Sequence, residues 1–177
     1  MKKPVLLQLN ALSILLLTFF FSSAAFAQQG KPVASPRDSV SGKIGTAKVE
    51  INYGSPSVKG RQIWGGLESY GKVWRAGANG ATTFTTDKDV TVEGKRLPAG
   101  SYAFFVIPQE GNQPWTVIFN KTAKQWGAYK YDQAQDALRV SVKPKKVSEV
   151  QEQLKYVITR KGFELRWEHI QLPVSVK

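Results

Sequence analysis

Arg61, Trp64, Lys72, Trp74, Arg75 and Asn79 fall in one stretch that also carries Gly54, Pro56, Gly60, Gly65, Gly66, Gly71 and Gly77. The chemistry these residue types support is recognition. A guanidinium holds a carboxylate or phosphate with two prongs, and a carboxamide both donates to and accepts from a sugar hydroxyl. An indole stacks on a sugar ring or a peptide. Backbone breakers at this density preclude one regular element, while large aromatics beside cations are costly to leave unfolded. The segment from Tyr53 to Asn79 therefore reads as ordered, irregular surface structure, a class of segment that disproportionately carries function. The same residues admit a structural reading: Trp74 as a core ring, Arg75 paired internally, Asn79 closing a turn. A second aromatic stretch, Gln125-Trp126-Gly127-Ala128-Tyr129-Lys130-Tyr131-Asp132, supplies Trp126 and Tyr131 as further candidate ligand contacts. It reads equally as a long connection packed by its own rings.

Catalytic constellations are scarcer. His169 is the single histidine and cysteine is absent, so neither a multi-imidazole metal site nor thiol chemistry can be assembled from one chain. No Gly-x-Ser-x-Gly elbow is present, which leaves a serine hydrolase without its usual context. Glycoside hydrolysis needs two carboxylates roughly 5 to 9 Å apart. Glu50, Glu68, Asp87, Asp89, Asp132, Asp136 and Glu168 are available, and their spacing selects no pair. No metal or other cofactor is expected.

These side chains must be positioned by strands. Val49, Ile51 and Tyr53 alternate with Lys48, Glu50 and Asn52, the period of a strand with one wet face. Thr82–Thr86, Val90–Val92, Tyr102–Ile107, Thr116–Phe119 and Leu138–Val142 are further strand candidates. They are separated by turn chemistry such as Glu93-Gly94-Lys95 and Pro98-Ala99-Gly100. Leu154, Tyr156 and Ile158 alternate, Lys161-Gly162 turns the chain, and Phe163, Leu165 and Trp167 follow on odd positions. Ile170, Leu172, Val174 and Val176 then fall on even ones. A strand cannot change parity without turning its face outward, so a β-bulge or break is expected near Glu168 and His169. Ser148–Leu154 and Arg61–Leu67 are each long enough for one helical turn, without sustained helical periodicity. The expected fold is an all-β antiparallel sandwich, jelly-roll-like or immunoglobulin-like, of roughly eight or more short strands with very little helix.

The N-terminus sets the compartment. Lys2 and Lys3, the apolar run Leu12–Phe21 and Ala25-Phe26-Ala27 read as a signal peptide over residues 1–27, cleaved after Ala27. The run is well short of the roughly 20 residues that cross a bilayer, so the processed chain is not expected to span a membrane. A periplasmic or secreted protein is the expectation, and without cysteine it must hold together by packing alone. Residues 28–41 read as a flexible leader, and 42–177 as a single domain. Loss of Lys2 and Lys3 lowers the formal charge from +12 to +10. Such a balance favours anionic partners, including polymers of the cell envelope. The basic residues are scattered, with Lys143-Pro144-Lys145-Lys146 the one run, so nucleic acid is not an expected partner.

The run Tyr53-Gly54-Ser55-Pro56-Ser57-Val58-Lys59-Gly60-Arg61, then Trp64-Gly65-Gly66-Leu67, then Tyr70-Gly71-Lys72-Val73-Trp74-Arg75-Ala76-Gly77-Ala78-Asn79, resembles a bacterial domain-of-unknown-function family, number 2911. Pro98-Ala99-Gly100-Ser101-Tyr102, Trp115-Thr116-Val117-Ile118-Phe119-Asn120 and Trp126-Gly127 are similar to its later blocks. The resemblance implies an exported, β-rich domain of Bacteroidetes-like bacteria and no particular activity. Glu68 departs from the family pattern, which more commonly has an apolar residue there. The function expected is a ligand-binding or envelope-interaction module for an anionic or glycan ligand, favoured over catalysis. A carboxylate-dependent glycan hydrolase is the first alternative, and an inhibitor or chaperone-like partner of another exported protein the second. The oligomeric state is left open.

Overall fold

The computed structural model describes residues 34–177, so the expected signal peptide and the first residues of the expected leader lie outside the described residues. Ala34–Lys177 form one compact unit. Its strands are β1 (Arg37–Ile44), β2 (Ala47–Gly54), β3 (Thr82–Thr86), β4 (Val90–Val92), β5 (Lys95–Leu97), β6 (Gly100–Ile107), β7 (Trp115–Asn120), β8 (Asp136–Val142), β9 (Lys145–Thr159) and β10 (Gly162–Ser175). The helical content among the described residues is one 3-10 turn at Gln133–Gln135. No helix there is long and apolar enough to cross a membrane.

Six strands form an antiparallel sheet in the order β1-β2-β3-β6-β7-β8. β9 and β10 form a long hairpin and β4 and β5 a short one, which joins the end of β10 through Thr91 and Lys177. The all-β sandwich expectation holds, with a different connectivity: once the β4–β5 hairpin is set aside, each strand's neighbour in the large sheet is the next in sequence. This is a meander, without the crossing connection of a jelly roll or immunoglobulin domain: even the long β2–β3 loop, residues 55–81, returns the chain to the neighbouring strand.

The core lies between the sheet and the long hairpin. Period-two burial points Val49, Ile51 and Tyr53 of β2 inward, with Phe84, Phe104 and Phe119, against Leu154, Tyr156, Phe163, Leu165 and Trp167. Phe163 meets Phe84 and Phe104 at 5.4 and 5.5 Å between ring centroids, which knits the layers by aromatic contact. β6 is buried on both faces. Its outward Ala103 and Phe105, with Ile118 of β7 and Ala81, form a second small cluster against Val73, Ala128 and Tyr131, which explains the unbroken apolar run of β6.

Three expectations are corrected. Residues 37–41, expected in the leader, pair with β2 as the first half of β1, where Val40 and Ile44 provide inward contacts. Ser148–Leu154 is extended within β9 because it pairs with β10. Arg61–Leu67 is a series of tight turns and not a helical turn. The expected bulge is present: the β9–β10 register slips between Arg166 and Glu168 and again between Glu168 and Ile170, and Glu168 has φ 53°. A left-handed glutamate inverts which residues face inward, so Trp167 and Ile170 are both buried.

Candidate functional site

The loop after β2 is stitched down at both ends. Ser55, Pro56, Val58 and Lys59 bond to β9 at Glu152 and Leu154, and Trp74 exchanges both backbone bonds with Val106, continuing past β3 along the edge of β6. Ala76, at φ 52°, is held there by two hydroxyls, Tyr156 Oη and Thr82 Oγ1, which donate to its carbonyl at 2.7 and 2.9 Å. Gly54 makes the return possible, since a Cβ there would overlap the Ala78 carbonyl. Gly54→Ala is accordingly expected to lower stability by roughly 2 kcal/mol or more in urea unfolding. An unchanged midpoint would show that the loop is not seated this way.

The backbone dictates where the candidate side chains go. Trp74 lies opposite inward-facing Val106, so it is core, 3% exposed. It stacks on Trp167 at 5.8 Å and 18°, and Trp64 meets Trp74, Trp167 and Trp115 at 5.5, 5.8 and 4.7 Å. Trp115 Nε1 donates to the Gln109 carbonyl, whereas the indole N–H groups of Trp64, Trp74 and Trp167 are buried without a partner. Such groups are rare in folded proteins, each at a cost of about 1–3 kcal/mol. Arg61 folds back on its own loop, donating to the carbonyls of Val58 and Ser57. Lys72 is exposed; Arg75 is half-buried with an unpartnered Nε.

Glu68 sits among these groups. Burial pushes its carboxyl up to about 7, against the opposing pull of Arg75, Arg61 and the Trp74 indole N–H. That indole is near enough to act on the carboxyl but lacks full hydrogen-bond geometry. The ion pairs among the described residues are Arg96–Asp89, Arg139–Asp136 and Arg166–Glu164, so Glu68 has no direct cation partner.

Asn79 and Trp126, from the two aromatic stretches, come together elsewhere. Gly80 pairs with Trp126, Gly127 N–H donates to the Asn79 carbonyl, and Asn79 Nδ2 donates to Ser35. Trp126 is 69% exposed. Tyr131 packs on Phe105 at 5.2 Å, and its hydroxyl donates to Asp136 while accepting from Arg139. Burial, reinforced by Asp136, pushes that phenol up to about 12. Tyr131 thus holds the connection against the outer face of the sheet, away from the tryptophan cluster of the inner face.

Where the loop, the β6–β7 turn and the β9–β10 bulge converge, a cleft of ≈ 570 Å³ opens. Trp64, Tyr70 and Trp115 contribute rings to its lining, and Gln62, Gln109, Asn112, Lys146, Glu168 and His169 contribute polar groups. Tyr70 lies over Gly65, where no Cβ would fit, and burial, Glu110 and Glu168 all raise its pKa. Glu168 accepts from the His169 backbone N–H at 2.7 Å. His169 Nδ1 is 3.0 Å from the Val147 carbonyl. A carbonyl only accepts, so Nδ1 carries the proton and Nε2 is the acceptor of the neutral ring. Of the ligand-contact candidates from sequence, Trp64 alone lines this cleft, together with Glu168 from the candidate carboxylates. The parity change at Glu168 signalled the bulge side, whereas Gln62, Gln109 and Asn112 come from separate turns and gave no signal. Among the described residues, no cluster of acidic and histidine side chains is placed to hold a metal.

The chain belongs to the family described as protein of unknown function (DUF2911), whose model matches residues 35–176. No curated protein and no solved structure matches it.

Proposed function

We propose that this family member is a binding module for a glycan, working outside the cytoplasm, with its ligand in the cleft between the Tyr53–Asn79 loop and the β9–β10 bulge. The observation that carries the reading is the composition of that cleft: the half-buried rings of Trp64 and Tyr70, backed by buried Trp115, beside side-chain amides, a carboxylate and an imidazole acceptor. Sugars present apolar ring faces and hydroxyls that both donate and accept, which is what such a lining complements. Its volume falls within the roughly 300–1,000 Å³ of small-molecule sites. The extracytoplasmic setting is supported by the basic, apolar and small-residue order of residues 1–27.

The hydrolase reading has one observation in its favour, that Glu110 and Glu168 both act on Tyr70. Against it, the carboxyl raised into the range of a general acid is Glu68, and the charges acting on Glu68 are arginines, with no second carboxylate among them. Binding is therefore the better supported reading.

A glycan array probed with the chain lacking residues 1–27 tests it. Tyr70→Ala and Asn112→Ala are expected to weaken the glycan found by about tenfold each, from lost stacking and lost hydrogen bonds. Unchanged affinity in both variants would remove the cleft as the site.

A further inference from the structure

We propose a second site, an anion subsite for a phosphate-bearing polymer, at the tip of the β9–β10 hairpin. A cleft of ≈ 620 Å³ lies there, lined by the β4–β5 turn, the end of β8, the hairpin turn and the end of β10. Lys143, Lys145, Arg160 and Lys161 line it and are exposed, and none forms an ion pair among the described residues. Its two carboxylates are already engaged. Glu93 accepts from the Ser175 backbone N–H at 2.6 Å, and Glu164 is held by Arg166 Nε and Nη2 at 2.9 and 2.6 Å. Arg166 compensates the charge of Glu164, and against Glu93 alone the four cations keep the cleft positive.

The local backbone places the cations deliberately. Thr159 and Gly162 are register partners, so Arg160 and Lys161 form a two-residue hairpin turn. Neither has positive φ, and neither is the asparagine or glycine such turns favour. Lys143 and Pro144 are the two residues between β8 and β9, and the rigid proline separates Lys143 from Lys145. Lys145 lines this cleft and Lys146 the aromatic one, as successive residues of a strand face opposite sides. One guanidinium fork with three ammonium groups fits repeated phosphates: the fork takes two oxygens of one group while the lysines hold its neighbours as point charges. The site shares no named side chain with the glycan cleft, so either reading stands without the other.

Fluorescence anisotropy with labelled short-chain inorganic polyphosphate tests the proposal. The double variant Arg160→Gln/Lys161→Gln is expected to lose about tenfold in affinity while melting as wild type. Lys72→Gln/Lys130→Gln, which removes two exposed cations elsewhere, is expected to stay within about twofold. Tyr70→Ala is expected to bind polyphosphate normally. Equal losses in the two doubles would reduce the effect to net charge and overturn the site. So would binding to anionic phospholipid vesicles in the absence of polyphosphate binding.

Discussion

Trp74→Ala is expected to be the most damaging single substitution in the loop, costing about 3–5 kcal/mol in urea unfolding. The ring is 3% exposed and stacked on Trp167, with Trp64 edge-on to both. Its removal opens a void between the sheet and the hairpin that the neighbouring indoles are too rigid to refill. Backbone pairing with Val106 survives the change, so the loss reports on packing. Trp74→Phe keeps an aromatic and should recover a large part of it. Trp126→Ala is the contrast. At 69% exposure it should move stability by no more than about 0.5 kcal/mol. A Trp74→Ala protein that melts like wild type would mean that the loop does not close the core.

Glu68 should give the chain an unusual pH response. Its folded pKa of about 7 lies above the ordinary 4.5, so the native state binds the proton more tightly than the unfolded chain does. Stability from this group is therefore greatest below the unfolded value and falls as pH rises from about 4.5 to about 7. Glu68→Gln removes the charge with little change of shape. The variant should match wild type near pH 4 and exceed it by about 2 kcal/mol above pH 7, after allowance for the solvent that still reaches the carboxyl. The check is the difference between the two stability curves. A flat difference across that window would show that the carboxyl is solvated, whereas a variant destabilised at pH 8 would show a direct bond to Arg75 or Arg61.

Most strands were legible, some from alternating inward positions and β6 and β7 from short, nearly unbroken apolar runs. Val49, Ile51 and Tyr53, the β6 and β7 runs, and the odd-to-even shift after Trp167 fix both the strands and the bulge. β1 was not, because Arg37, Asp38 and Ser39 are exposed and its inward contacts are few. The first half of β9 was obscured for a related reason: from Lys145 to Gln153 it buries no side chain and shows no apolar period. β5 buries Leu97 alone. The site was half legible. Residue types located the loop and nominated Trp64, yet Trp74 could be placed in the core only through its pairing with Val106, a contact between distant segments. The same holds for Arg61, whose guanidinium is turned back onto the Val58 and Ser57 carbonyls. The two aromatic stretches do meet, at Gly80 and Trp126, but Tyr131 anchors the outer face and the cleft forms elsewhere, from turns that carry no shared pattern.

The central claim is that a glycan occupies the cleft beside Trp64. The most direct measurement is a proton–nitrogen correlation spectrum of the tryptophan indoles during titration with a glycan that binds. Trp64 and Trp115 line the cleft, whereas Trp126 is exposed on the connection between β7 and β8. The indole signals of Trp64 and Trp115 should shift in a saturable manner while that of Trp126 stays in place. Saturable movement of the Trp126 signal with Trp64 and Trp115 unmoved would contradict the account.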